Sequence, residues 1–258
     1  MDAGAAGLAM SYAATFTGNL LWLIRLHTAN EQEMNSMERV GEYLDVPQEG
    51  PTAVPAKGWT GGQGGGAIEF VDYSAHYGNE RETVLRNLRL SIGAREKIGV
   101  VGRTGPGKTS LALTLVRALE AASGWILLDG EAVCAMPLRQ LRENVVMVPQ
   151  DPILFSGNVR SNLDPLLREP LVLLMDESTA SLDANTAARI QDNLRAQTCT
   201  TITIAHRLPS IIDCDRVVVL EAGRTIEVSR PRELLAVSGS VFAALWHEQH
   251  TSSSIDIG

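Results

Sequence analysis

The chain has no surplus of basic charge. Its 258 residues carry 22 Lys and Arg against 30 Asp and Glu, a net charge of −8, and the basic residues are spread along the chain. The electrostatic footprint of nucleic-acid binding is therefore missing, and neither DNA nor RNA is expected as a partner. Cysteine is scarce: Cys134, Cys199 and Cys214 are odd in number and show no metal-ligand spacing. That argues against a disulfide framework and a zinc site, and fits core thiols in a reducing compartment. A secretory signal is missing too, since the apolar N-terminal stretch has neither a basic n-region nor a small-residue cleavage site.

What is present centres on Gly102-Arg103-Thr104-Gly105-Pro106-Gly107-Lys108-Thr109. The apolar run Lys97 to Val101 precedes it and Ser110-Leu111-Ala112-Leu113-Thr114-Leu115-Val116 comes after it, so the stretch reads as strand, loop, helix. The spacing fits G-x-x-x-x-G-K-[ST], in which backbone N–H groups turn inward around phosphate oxygens and the helix presents its positive end. Lys108 is expected to reach the β- and γ-phosphates, and Thr109 to offer its hydroxyl to Mg²⁺. The plain alternative is a glycine-rich turn, which the flanking pattern on both sides disfavours.

Ala3 to Ile24 is free of charge for 22 residues, a length that can cross a bilayer as a helix. Ser11, Thr15, Thr17, Gly18 and Asn19 dilute it, which suits a helix packed among other membrane helices better than a lone anchor. A buried helix of a soluble domain is the other reading. Helical spacing continues to about Tyr43, and Pro47, Gly50, Pro51 and Pro55 end it. The expected organisation is a long helix over 1–46, a Gly/Pro-rich linker over 47–66 too permissive to hold one conformation, a globular body over 67–250 and a disordered tail over 251–258.

Within the body, strands are expected at 68–73, 85–92, 97–101, 124–129, 145–148, 171–176, 200–205, 217–220 and 225–228. Helices are expected at 110–119, 183–197, 232–237 and 241–250, with a short one after Asn158 that ends at Asp164-Pro165. Leu171 to Met175 is continuously apolar, the mark of a strand buried on both faces, and it ends in Asp176 and Glu177. With a phosphate loop upstream, Asp176 is a candidate Mg²⁺ holder and Glu177 the group that orients or deprotonates the attacking water; a helix cap is the blander reading. His206 ends the next strand in the same way, and Gln150 lies in a proline-framed loop after another. Tyr77 could stack on adenine, although aromatics in strands more often belong to a core.

Taken together these pieces resemble the nucleotide-binding domain of an ATP-binding cassette transporter, most closely the second such domain of the multidrug-resistance-protein-like C subfamily. Gly102 to Thr109 matches Walker A, Val148-Pro149-Gln150 the Q-loop, Leu171 to Glu177 Walker B, Ser181-Leu182-Asp183 the D-loop and Ala205-His206-Arg207 the switch histidine. Asn35 to Val40, Arg160 to Pro165 and Ile204 to Leu208 carry subfamily flavour. The resemblance implies an α/β P-loop NTPase fold: a mostly parallel core sheet, an antiparallel β part before it, and a long helix ahead of both. It implies ATP and Mg²⁺ as cofactors. Glu177, His206 and Lys108 would be catalytic, and Tyr77, Gly102, Thr104, Gly105, Gly107, Lys108, Thr109, Ser110 and Gln150 would contact nucleotide. Thr109, Gln150 and Asp176 would hold the metal. It also implies a membrane location through the N-terminal helix, with the nucleotide-binding part on the cytoplasmic side. The partners would be a second nucleotide-binding domain and the transmembrane domains of the same transporter.

Two features depart from the family. Gln150 and Asp176 are only 26 positions apart (176 less 150), and no Leu-Ser-Gly-Gly-Gln-type signature lies between them. An internal loss of the helical subdomain near Pro165-Leu166 is inferred. Thr60-Gly61-Gly62-Gln63 does not replace the signature, because it sits among linker glycines ahead of the first strand. Pro106 stands where a residue with an N–H is usual, and since proline has none to donate, a weaker hold on phosphate is expected. Two activities remain as expectations: an ATPase segment of an exporter, or a non-catalytic nucleotide-binding or regulatory fragment. A soluble P-loop GTPase or kinase fits worse, as no Asn-Lys-x-Asp motif is present and Gln150 and His206 would be unexplained.

Overall fold

The structure, a computed structural model, describes residues 3–46, 64–78, 83–102, 107–150, 156, 170–176, 197–205 and 207–255. The chain divides into two units, Met1–Pro51 and Thr52–Gly258.

The first unit is one helix, α1 (Ala3–Leu44), of 42 residues, none of them buried. Thr15, Thr17 and Thr28 each turn their hydroxyl back to the carbonyl four residues earlier, at 2.9–3.0 Å, so these side chains satisfy themselves on their own helix. The uncharged stretch does form a continuous helix. Yet no helix among the described residues is long and apolar enough to cross a membrane, because Ser, Thr, Gly and Asn interrupt the apolar run.

The second unit holds two sheets. Strands β1 (Ile68–His76), β2 (Thr83–Ile92), β4 (Ala121–Leu128) and β5 (Glu131–Ala132) form an antiparallel sheet in the order β2-β1-β4-β5. Strands β3 (Lys97–Val101), β6 (Val145–Val148), β7 (Val172–Asp176), β8 (Thr200–Ile204), β9 (Arg216–Glu221) and β10 (Arg224–Ser229) form the second sheet, in the order β10-β9-β3-β8-β7-β6. Five of its strands are parallel and only β10 runs antiparallel, against β9. This is the α/β architecture expected. Helices α2 (Lys108–Leu115), α3 (Leu138–Asn144), α4 (Pro231–Ala236) and α5 (Val241–Ile255), with 3-10 turns at Val133–Ala135 and Leu208–Ile211, complete the described elements.

Alternation along the parallel strands explains their composition. On β7, Val172 and Leu174 face a core shared with β1, β2, β4 and α2, while Leu173 and Met175 enter a separate cluster with Val146 and Cys199. Both faces are covered, so no polar residue interrupts the run until Asp176. On β9, Val218 and Leu220 join the larger core while Val217 and Val219 pack with Phe242 of α5. The Glu227 carboxylate fixes the start of α5, accepting from Val241 N at 2.7 Å, Phe242 N at 3.1 Å and the Ser240 hydroxyl at 2.9 Å. There it meets the unpaired N–H groups and the positive end of the helix.

Four local expectations need correction. The linker does not run loose to its end: the Asp129 carboxylate accepts from Gly66 N at 3.0 Å and Ala67 N at 2.7 Å, and Gly65 O accepts from the Thr200 hydroxyl at 3.2 Å. The backbone stays helical to Ile255 instead of ending before a disordered tail, since no Gly or Pro interrupts it. Helix α2 stops at Leu115, short of the 119 expected, because Arg117 takes a left-handed φ of 51° and the amides of Ala118 and Leu119 fold back to Leu113 O. Cys134 is exposed on a 3-10 turn, whereas Cys199 is buried and burial, with Asp215 and Asp213 adding to it, pushes the Cys214 thiol up to about 12. Only two of the three cysteines are core thiols. Helix α3 was not foreseen.

Candidate functional site

Parallel strands deliver the segments after them to one edge of the sheet. Register puts Asp176 beside Ile204 of β8, and Ile204 beside Val100 of β3, so the end of β7 lies two strands from the start of the phosphate loop. Val148 of β6 pairs with Met175, which brings the adjoining Pro149 and Gln150 to the same edge. His206 comes two residues after β8. The carboxyl edge of such a sheet is where ligands of doubly wound folds bind.

Both ends of the loop are fixed in the structure. Gly102 closes it on the β3 side and Gly107 caps α2 with φ 146°, a conformation that a side chain would resist. Lys108 is 7% exposed, and its ammonium donates to Gly102 O at 2.8 Å, bridging the loop from end to end. Ser110 is buried and Thr109 exposed. Tyr77 is 37% exposed and its hydroxyl lies 3.1 Å from the Ser110 hydroxyl, so the aromatic expected at the base stands directly against the first turn of α2. That contact was not legible from spacing, because the two residues lie 33 apart.

Asp176 supplies the test for a metal. It is 4% exposed at the end of β7, and its Oδ1 has no hydrogen-bond partner among the described residues. A buried acceptor left unmet carries a real cost and points to something absent. Among the described residues no group of three His, Cys, Asp or Glu could hold an ion unaided. Mg²⁺ usually takes one or two carboxylates plus substrate phosphates and keeps several waters. The Thr109 hydroxyl, the exposed Gln150 amide and the Asp176 carboxylate are a hard oxygen set of that kind. Gly102, Gly107, Lys108, Thr109, Ser110, Tyr77, Gln150 and Asp176 are thus placed. Thr104, Gly105, Pro106, Glu177 and His206 lie outside the described residues, as do the D-loop residues and most of 151–169, where the internal loss was inferred.

A family model described as ABC transporter matches residues 85–209. The chain is 38% identical to "ABC transporter 7" of Pyricularia oryzae, over 91% of this chain and 19% of that protein. It is 36% identical to "ATP-binding cassette sub-family C member 2" of Homo sapiens, over 92% of this chain and 19% of that protein. The chain therefore spans about a fifth of these curated relatives. Among solved structures it is similar to a bacterial Atm1-family ABC exporter with ATP bound, with a TM-score of 0.75 and 25% identity, over 85% of this chain and 47% of that one. The alignment with the Pyricularia protein runs over 317 residues although this chain has 258, so gaps of at least 59 positions (317 less 258) open in this chain.

Proposed function

Since this chain carries an ATP-binding cassette nucleotide-binding domain of the C-subfamily type, we propose that it binds Mg·ATP through the carboxyl edge of the parallel sheet and hydrolyses it as one half of a composite exporter site. The observation that carries the reading is the buried Oδ1 of Asp176, without a hydrogen-bond partner among the described residues and two strands from a loop bridged by Lys108.

In this reading Lys108 leaves the Gly102 carbonyl for the β- and γ-phosphates, the amides at the start of α2 hold phosphate oxygens, and Tyr77 covers the base. Asp176, Thr109 and Gln150 hold the magnesium. The bound ion supplies neutralisation of the charge that develops on the phosphate oxygens. Glu177 orients and deprotonates the attacking water, and His206 faces the γ-phosphate. A partner domain supplies the signature that closes the site, and α1 docks among the transmembrane helices of the same assembly, with the nucleotide-binding part in the cytoplasm.

The short span between Gln150 and Asp176 favours a second reading, a non-catalytic nucleotide-binding or regulatory fragment, because the missing region would serve the partner's site and the contact with the membrane domain. Phosphate release by the purified chain and by Glu177→Gln, with and without an intact partner nucleotide-binding domain, separates the two. Turnover that falls at least about 100-fold in Glu177→Gln supports the engine reading. Nucleotide binding without Glu177-dependent turnover in either condition leaves the fragment reading standing.

A further inference from the structure

The two described ends of the phosphate loop, Gly102 and Gly107, rest on an element that none of its motifs includes. Between β9 and β10 the chain reverses through Ala222 and Gly223, with φ of 47° and 76° and Glu221 opposite Arg224. Two left-handed residues in succession are the signature of a tight two-residue hairpin. Because β9 is parallel to β3 and adjacent to it, the hairpin emerges at the edge where β3 releases the loop.

Both described ends of the loop meet this hairpin. A Cβ on Gly102 would lie 2.1 Å from Leu220 O, near the end of β9. The corresponding point on Gly107 lies 3.6 Å from both Gly223 Cα and Val84 O, ordinary contact distance. Gly223 is itself wedged: a Cβ there would lie 2.1 Å from Val84 O and 2.8 Å from Val84 C, while its carbonyl accepts from Arg86 N at 2.8 Å. The opposing atoms are backbone, which cannot swing aside as the end of a long side chain can.

We propose that the Ala222–Gly223 turn is the backstop of the phosphate loop, and that Gly223 is a positioning residue for nucleotide phosphate. Any side chain at 223 pushes the turn off β2 and toward Gly107, moving the N-terminus of α2 and the amides that grip phosphate. The inference rests on the nucleotide reading of the site. It adds a determinant some 115 residues downstream of the loop that no phosphate-binding motif predicts.

Gly239 is the internal control. Its φ is 90° and a Cβ there meets nothing within 4 Å, so Gly239→Ala carries the same left-handed strain without the contact. The affinity for ATP with Mg²⁺ is measured by calorimetry on the wild-type chain, Gly223→Ala and Gly239→Ala, each shown by circular dichroism and a cooperative melt to be folded. A small misplacement of a gripping group is enough to weaken binding by about tenfold in Gly223→Ala, while Gly239→Ala stays within about twofold of wild type. Wild-type affinity in folded Gly223→Ala overturns the proposal. If Gly223→Ala does not fold, hydrogen exchange on the wild type decides: Mg·ATP slows exchange at the Arg86 amide and at Gly223 and Arg224, and unchanged exchange there overturns it. A wild-type chain that binds no ATP overturns the functional reading, and this inference with it.

Discussion

Asp176→Asn gives the sharpest test of the metal assignment, because its two expected effects have opposite signs. In the nucleotide-free chain this carboxylate is only 4% exposed, with Oδ1 lacking a partner among the described residues. An unmet buried acceptor costs about 1–3 kcal/mol, and a charged one more. Asparagine keeps the shape and removes the charge, so the nucleotide-free variant is expected to gain about 1–2 kcal/mol, which in a domain of this size is a melting temperature higher by roughly 2–8 °C. Mg·ATP at about 100 times its Kd adds about 2.7 kcal/mol to the wild type by mass action. In the variant the part of that gain that depends on Mg²⁺, read as the difference between melts in magnesium and in EDTA, should vanish. The assay is therefore one pair of thermal melts for each protein with and without ATP, in each buffer. A variant that melts below the wild type without nucleotide would show that the carboxylate serves the resting fold; an undiminished Mg²⁺-dependent shift would show that it does not hold the ion.

Two further outcomes come from the packing and the charges. Phe242 is fully buried between α5 and β9, so Phe242→Ala should cost about 3–5 kcal/mol in urea unfolding, with the slope of the transition unchanged. Burial works against the Glu96 charge, but the Arg216 guanidinium, bound through both carboxylate oxygens at 2.5 and 2.7 Å, and the Gly93 amide outweigh it and hold its pKa below the ordinary 4.5. A depressed carboxyl stabilises the fold above its unfolded pKa and loses that contribution as pH falls through the folded value; Glu96→Gln should therefore be less stable than wild type at pH 7, with the gap closing below about pH 4.

The parts of the fold that could be read from sequence are those where one residue type serves one local purpose. The uninterrupted Leu171 to Met175 run announced a strand with two covered faces, and the β7 clusters bear this out. The hairpin at 221–224 was announced by its own turn residues. What escaped depends on partners distant in sequence. Gly64 to Gly66 looked permissive because their composition is permissive, and the group that fixes Gly66 is a carboxylate 63 residues away. Helix α3 is one short piece of seven residues, with Leu141 its buried residue and an Arg139–Glu143 pair on its surface, too brief for periodicity to declare itself. The Tyr77–Ser110 contact joins two residues that the sequence marked separately as candidates and whose meeting it did not show.

The strand order also sets a timetable for synthesis. The antiparallel sheet draws only on strands made by residue 132 and can close as soon as β5 has left the ribosome. Strand β3, which carries the phosphate loop, pairs only with β8 and β9, and these are made about 100 or more residues later. At about 5–20 residues per second the nascent chain holds an apolar strand with both edges bare for roughly 5–20 seconds. For that interval the loop strand is open to pairing with the wrong partner, and it is the rear of the chain, not the loop itself, that ends the exposure.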